Sequence, residues 1–233
     1  MSRLSGVRAV LFDAYGTLFR LDSIQDACAA ALATVPGNTS TAEEFSILWR
    51  AKQLEYSVHR SLMGEPYYVD FAAVTEQALD YALARLAVEL PSTERASLLQ
   101  AWQTPAADPS APTVLAALAP LPRAILSNGA PAMLATAVAA AGLSDRLDAI
   151  LSADEVRVYK PHPRVYALGT ARFGFLPAEI AFVTGNGWDA AGAAAFGYRV
   201  CWINRHGLPE ERHGPGPAAV VASLADVPAT LGR

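Results

Sequence analysis

Charge is scarce in this chain of 233 residues. Asp, Glu, Lys and Arg together make up 17 % of it, and the formal net charge is −4. No block of Lys and Arg interrupts it, which argues against nucleic-acid binding and against adhesion to anionic membranes. Cysteine is nearly absent: Cys28 and Cys201 stand alone, far apart and each in an apolar context. They read as two buried thiols in a reducing cytoplasm, not as a disulfide framework. The four histidines (His59, His162, His206 and His213) lack metal-ligand spacing and read as surface or loop residues. No apolar stretch reaches transmembrane length without a charge, Gly or Pro. The first apolar run begins within a few residues of Met1, so no N-terminal targeting segment is expected. Half of the chain is apolar, which excludes a disordered protein and predicts a soluble, cytoplasmic one with a real core. The length allows one large domain plus an insertion.

Short apolar runs alternate with helical patterns along most of the chain. Val7 to Phe12 reads as a buried parallel strand. A long strandless stretch follows, with helical patterns over Leu21–Thr34, from the Ser40–Glu44 capping box to about Met63, and over Val69–Val88. Pro91-Ser92-Thr93-Glu94 starts a fourth. Strand-like runs resume at Arg123–Ser127, Ala149–Ser152, Ile180–Thr184 and Arg199–Ile203. Helices are expected between them at Pro131–Ala141, Pro163–Phe173 and Asp189–Phe196. Val220–Leu231 supplies a last short strand and helix. This alternation implies an α/β fold: a Rossmann-like parallel-sheet core with right-handed crossovers and an inserted helical cap domain. The expected borders are 1–20 and 91–233 for the core and 21–90 for the cap.

Parallel strands bring their carboxyl ends to one rim, where ligands bind in open α/β sheets. Four such ends carry polar residues. The first run closes in Asp13-Ala14-Tyr15-Gly16-Thr17, and a carboxylate there can act as a nucleophile that forms an ester for water to hydrolyse. The second ends in Ser127-Asn128-Gly129, a hydroxyl and an amide able to orient that carboxylate or hold a small anion. Next comes Tyr159-Lys160-Pro161, where Pro161 disfavours helix at Lys160 and leaves its side chain free to aim at the rim. Last is Thr184-Gly185-Asn186-Gly187-Trp188-Asp189, with Asp189 expected to open the next helix. Each piece alone is ordinary; a strand-end Asp is commonly a cap or turn residue. Four in this order, each after a buried strand, point to one site.

That order resembles the haloacid dehalogenase superfamily, and its details resemble the L-2-haloacid dehalogenase branch over nearly the whole chain. Asp13-Ala-Tyr15-Gly16-Thr17-Leu18-Phe19 is similar to the first motif of the branch, and Trp49-Arg50-Ala51-Lys52-Gln53-Leu54-Glu55-Tyr56 to its cap helix. Ile125–Gly129, Tyr159–Tyr166, Asn186–Ala190 and Cys201-Trp202-Ile203-Asn204-Arg205 resemble the others. The resemblance implies hydrolytic dehalogenation of short (S)-2-haloalkanoic acids to (R)-2-hydroxy acids, with no cofactor and no metal, by a homodimer. The superfamily's phosphatases carry Asp where Tyr15 stands, to protonate an alkoxide. Halide leaves without a proton, so that acid is dispensable. Asn186-Gly187 likewise offers no acidic pair for magnesium.

The roles implied are these. Asp13 attacks C2 of the haloacid, Lys160 keeps Asp13 ionised, and Arg50 meets the halide or the substrate carboxylate. Asp189 prepares the water, assisted by Asn186. Thr17 and the backbone N–H groups after Asp13, Ala14 among them, receive the oxyanion. Ser127, Tyr166 and Thr184 complete the polar set. Tyr15, Leu54, Phe71, Asn128 and Trp188 line the pocket for substrate and halide. Two departures stand out. Thr184-Gly185 replaces a usual pair of serines, and Ala51 replaces a usual glutamine, which is expected to enlarge or loosen the pocket. A magnesium phosphatase of the same fold and a phospho-acceptor receiver domain are the rival readings. The first needs an acid at Tyr15; the second lacks a helical insertion after strand one.

Overall fold

The computed structural model describes residues 3–233. Six strands form one parallel sheet: β1 (Ala9–Phe12), β2 (Arg123–Ser127), β3 (Ala149–Ser152), β4 (Ile180–Thr184), β5 (Arg199–Ile203) and β6 (Ala219–Val221). Their order is β3-β2-β1-β4-β5-β6. All residues of the central strands β1 and β4 are buried, as expected of strands covered on both faces. The order reverses between β1 and β4, the point at which such sheets open a crevice. Phe12 pairs with Ile125 of β2 and with Val183 of β4. The next backbone N–H, that of Asp13, donates to the Val183 carbonyl at 2.9 Å. Asp13, Thr184 and Ser127 therefore reach one rim at nearly one level.

Five helices separate β1 from β2: α1 (Asp22–Leu32), α2 (Ala42–Met63), α3 (Phe71–Leu86), α4 (Ser92–Gln103) and α5 (Ala111–Ala117). Thr41 caps α2 by accepting from the Glu44 N–H at 3.0 Å, and Asp70 caps α3 by accepting from Ala73 at 2.8 Å. Helix α2 packs on α3, and α1 packs on both α2 and α4. Buried Trp49 and Gln53 of α2 tie down Thr75 of α3. The indole N–H donates to the Thr75 carbonyl at 2.8 Å and the Gln53 amide to its Oγ1 at 2.9 Å. The expected border at residue 90 falls just before α4, which packs on α1 and also on α6 (Pro131–Ala140). Helices α7 (Pro163–Phe173), α8 (Gly187–Phe196) and α9 (Val227–Thr230) complete the chain.

Three details differ from the sequence reading. β1 starts at Ala9, because the chain before it turns at Gly6 with φ +76. Helix α5 is additional to the expected elements; the sequence marks it only by Pro112 in its first turn. Helix α8 begins at Gly187 with Asn186 as its N-cap, so Asp189 lies within the first turn instead of opening the helix. This frees its side chain to face the core. Cys28 and Cys201 are both buried and unpaired; burial pushes the first thiol up to about 12 and the second to about 11. His59, His206 and His213 are exposed, and His162 is half-buried at the start of α7. Among the described residues no helix is long and apolar enough to cross a membrane.

Candidate active site

The rim holds a buried charge relay. Lys160, one of only two lysines in the chain, is 1 % exposed, Asp13 6 % and Asp189 0 %. The Lys160 ammonium donates to Asp13 Oδ1 at 3.1 Å and to Asp189 Oδ2 at 2.9 Å. A lone buried ammonium would shed its proton. Here burial works against the charge, but Asp13 and Asp189 outweigh it and hold Lys160 above the ordinary lysine value. Lys160 is set in place from its own backbone: its N–H donates to Asn128 Oδ1 at 2.8 Å, across the gap between the β2 and β3 rims.

The other oxygen of Asp13 has two donors. Thr17 Oγ1 donates to Oδ2 at 3.0 Å and Asn186 Nδ2 at 2.8 Å. Thr17 is itself fixed, since its hydroxyl accepts from the Gly185 N–H at 2.8 Å. Asn186 Nδ2 also donates to the Tyr15 carbonyl at 3.0 Å. Gly185 has a steric reason. A Cβ there would lie 2.2 Å from the Gly16 carbonyl oxygen, so at this spacing the β4 rim and the turn after β1 leave no room for the serine usual at this position.

Asp189 has no free oxygen. Tyr166 donates to Oδ1 at 2.7 Å, and Thr184 Oγ1 donates to Oδ2 at 3.3 Å beside Lys160. Burial chiefly, countered by Lys160 and reinforced by Asp13, pushes its carboxyl up to about 6. Tyr166 itself is held well above the usual phenol range by burial and by Asp189.

Asp13, Tyr15, Arg50, Leu54, Phe71, Ser127, Asn128, Lys160 and Trp188 line one small cavity above the rim, with room for about one water, near 10 Å³. Tyr15 forms an apolar wall. Its ring stacks obliquely on Trp102 of α4 at 5.4 Å, and its hydroxyl donates to the Trp102 carbonyl at 3.0 Å. Arg50 enters from α2 over the Trp102 ring, 5.4 Å from its centroid. Its nearest polar partner is Gln53 Oε1 at 3.4 Å, and among the described residues it has no carboxylate within salt-bridge distance. Burial lowers its basicity, opposed by Asp13 first. Ser127 Oγ accepts from the Gly129 N–H at 3.2 Å.

Thr17, Tyr166, Thr184, Asn186 and Asp189 stand behind this lining and brace it. Ala14 is buried within the turn and accepts from the Thr17 N–H at 3.2 Å. The expected effect of Ala51 on the pocket is corrected. The residue after Arg50 is turned about 100° around α2, and Ala51 is exposed. Trp102, which stands outside every motif, backs the cavity from behind Tyr15 and Arg50. Among the described residues no cluster of His, Cys, Asp and Glu could hold a metal.

The family profile described as haloacid dehalogenase-like hydrolase matches residues 7–197. An (S)-2-haloacid dehalogenase from Xanthobacter autotrophicus is 42 % identical over 95 % of this chain and 94 % of its own. The chain belongs to the L-2-haloacid dehalogenase family. A second member, (S)-2-haloacid dehalogenase 1 from Pseudomonas sp. strain CBS-3, is 40 % identical over 97 % of both chains. The X. autotrophicus enzyme has also been solved with chloropropionic acid covalently bound. That structure superposes with a TM-score of 0.86 at 41 % identity, over 97 % of this chain and 98 % of that one. The match thus spans core and helical layer alike.

Proposed function

We propose that this dehalogenase hydrolyses short-chain (S)-2-haloalkanoic acids to (R)-2-hydroxy acids through an ester on Asp13, without a metal. The observation that carries the reading is the pairing of a buried, lysine-held carboxylate with an arginine that has no counter-ion, across one small cavity. The covalently bound acid in the X. autotrophicus relative supports the ester. Asp13 Oδ1, held by one donor, attacks C2 in line with the carbon–halogen bond. The C–O bond forms, the halide leaves with the bonding pair, and the centre inverts. Arg50 and the Asn128 amide, with Trp188 beside them, receive the anion. Leu54, Phe71 and Tyr15 supply the apolar wall. The cavity as it stands is too small for the acid. Substrate must therefore enter as the helical layer α1–α3, which we take as the cap over 21–90, parts from the rim.

In the second step water adds to the ester carbonyl and the 2-hydroxy acid leaves. Oδ2 carries the developing negative charge, and Thr17 and Asn186 already donate to it. Asp189 takes the proton of the water, relayed through the Lys160 and Thr184 shell. The Lys160 ammonium bridges the two carboxylates and supplies the positive charge between them. The exposed apolar residues Ile47, Val58 and Leu62 share one face of α2; a second copy covering them fits the homodimer reading.

The test is chloride release from (S)-2-chloropropionate in EDTA, with the (R) enantiomer alongside. Chloride from the (S) form alone is expected; none from either would defeat the reading. The pH dependence follows from Asp189. Its folded value of about 6 exceeds the ordinary aspartate value, so the working carboxylate persists above pH 6 and is lost by protonation below it. A pH profile of kcat, with ester hydrolysis limiting, should show a one-proton acid limb near pH 6, and a flat kcat profile down to pH 5 would remove Asp189 as the base of that step.

A further inference from the structure

The segment Asn204-Arg205 at the end of β5 has no part in the chemistry above, yet its side chain reaches the turn that carries Asp13. Arg205 Nη1 donates to the Gly16 carbonyl at 2.8 Å, and Nη2 donates to the Thr17 carbonyl at 3.0 Å and to Asp108 Oδ2 at 2.9 Å. Asp108 is braced in turn: its Oδ1 accepts from the Ser110 N–H at 2.9 Å and its own N–H donates to the Leu18 carbonyl at 2.8 Å. Among the described residues no other side chain donates to either turn carbonyl. On its inner side the same turn presents Thr17 Oγ1 to Asp13 and the Tyr15 carbonyl to Asn186. Gly16 has φ +86, so the turn is bent sharply and its carbonyls are thrown outward. A planar fork is suited to holding two adjacent carbonyls; a lysine reaches only one.

We propose that Arg205, anchored by Asp108, is a positioning residue for ester hydrolysis: it clamps the Gly16 and Thr17 carbonyls so that Thr17 meets Asp13 Oδ2. This rests on the reading of Asp13 as the ester-forming residue. Loss of the clamp lets Thr17 drift. That harms the step in which Oδ2 gathers charge more than the step in which Oδ1 attacks, and displacements near 1 Å cost up to about 100-fold. Arg205 lies on the opposite side of the turn from the substrate cavity, in an open cleft of about 580 Å³ shared with Gly16, Leu21 and Asn186. Small cations can therefore reach the vacated place.

The experiment compares wild type, Arg205→Ala, Arg205→Lys and the control Arg20→Ala, whose side chain pairs with Asp22 in the same cleft. Chloride is followed in the first turnover and at steady state, with mass spectrometry of Asp13. We expect Arg205→Ala to lower steady-state kcat by about 10- to 100-fold, with KM falling alongside it so that kcat/KM is largely kept, first-turnover chloride near that of wild type and the Asp13 adduct accumulating. Guanidinium at millimolar concentration should restore turnover to Arg205→Ala and not to Arg20→Ala. Arg205→Lys should fall between wild type and Arg205→Ala, and remains informative if the alanine variant does not fold. A folded Arg205→Ala with wild-type kcat would overturn the inference. So would equal loss in both steps without an adduct or guanidinium rescue. A wild type that releases no chloride would instead overturn the reading of Asp13.

Discussion

Asp13→Asn is expected to abolish chloride release from (S)-2-chloropropionate, a loss of at least about 10⁴-fold, as for other nucleophiles removed from a working site. The amide nitrogen has no lone pair to offer to C2, and the amide oxygen is a poor substitute for a carboxylate. The geometry adds a second reason. Three donors converge on Asp13, Lys160 on one oxygen and Thr17 and Asn186 on the other. An asparagine has one accepting oxygen, so its NH₂ must face a donor whichever way it turns. The mismatch costs about 1–3 kcal/mol, while Lys160 retains Asp189 as a counter-ion and the fold should survive. A thermal melt will establish that the variant is folded, and halide measurement then decides. Wild-type-like chloride release from folded Asp13→Asn would rule out the ester.

Much of this arrangement was legible in the sequence, and the reasons are local. β2, β3, β4 and β5 run between the residues expected of them because each is a short apolar run bounded by turn formers or charges. The polar residues that end β1, β2 and β4 had to share a rim because parallel strands point one way. Lys160 could be assigned to that rim because Pro161 follows it. What stayed hidden depends on contacts between distant segments. Trp102 supports the cavity residues Tyr15 and Arg50 from a helix whose sequence carries no motif. The β4 rim approaches the turn so closely that position 185 has no room for a side chain on this backbone, a contact that the replacement of a serine does not reveal in one dimension. Ala51 follows Arg50 in the chain but not in space, since one step along a helix turns away from the cavity. Arg205 acts through Gly16 and Thr17, which lie 189 and 188 positions away in the chain.

The second large effect separates the two steps. Asp189→Asn should leave ester formation nearly intact and slow ester hydrolysis by about 10²- to 10⁴-fold, the range for a lost general base. The substitution is nearly isosteric, and burial already disfavours the charge that it removes. An asparagine can keep its oxygen toward Lys160 and Thr184 while its NH₂ meets the Tyr166 hydroxyl, which can turn to accept. Lys160 then has Asp13 as its single counter-ion, and the nucleophile keeps its three donors. The expected record is a burst of one halide per chain followed by a stall, with the carboxyethyl ester, joined through C2 of the acid, found on Asp13. Lys160 also shows why both steps can be separated at all: one ammonium serves two carboxylates, 3.1 and 2.9 Å away, and each carboxylate has its own task. If Asp189→Asn instead loses the burst together with turnover, Asp189 serves to set Asp13 through Lys160, and the water must be prepared by another group.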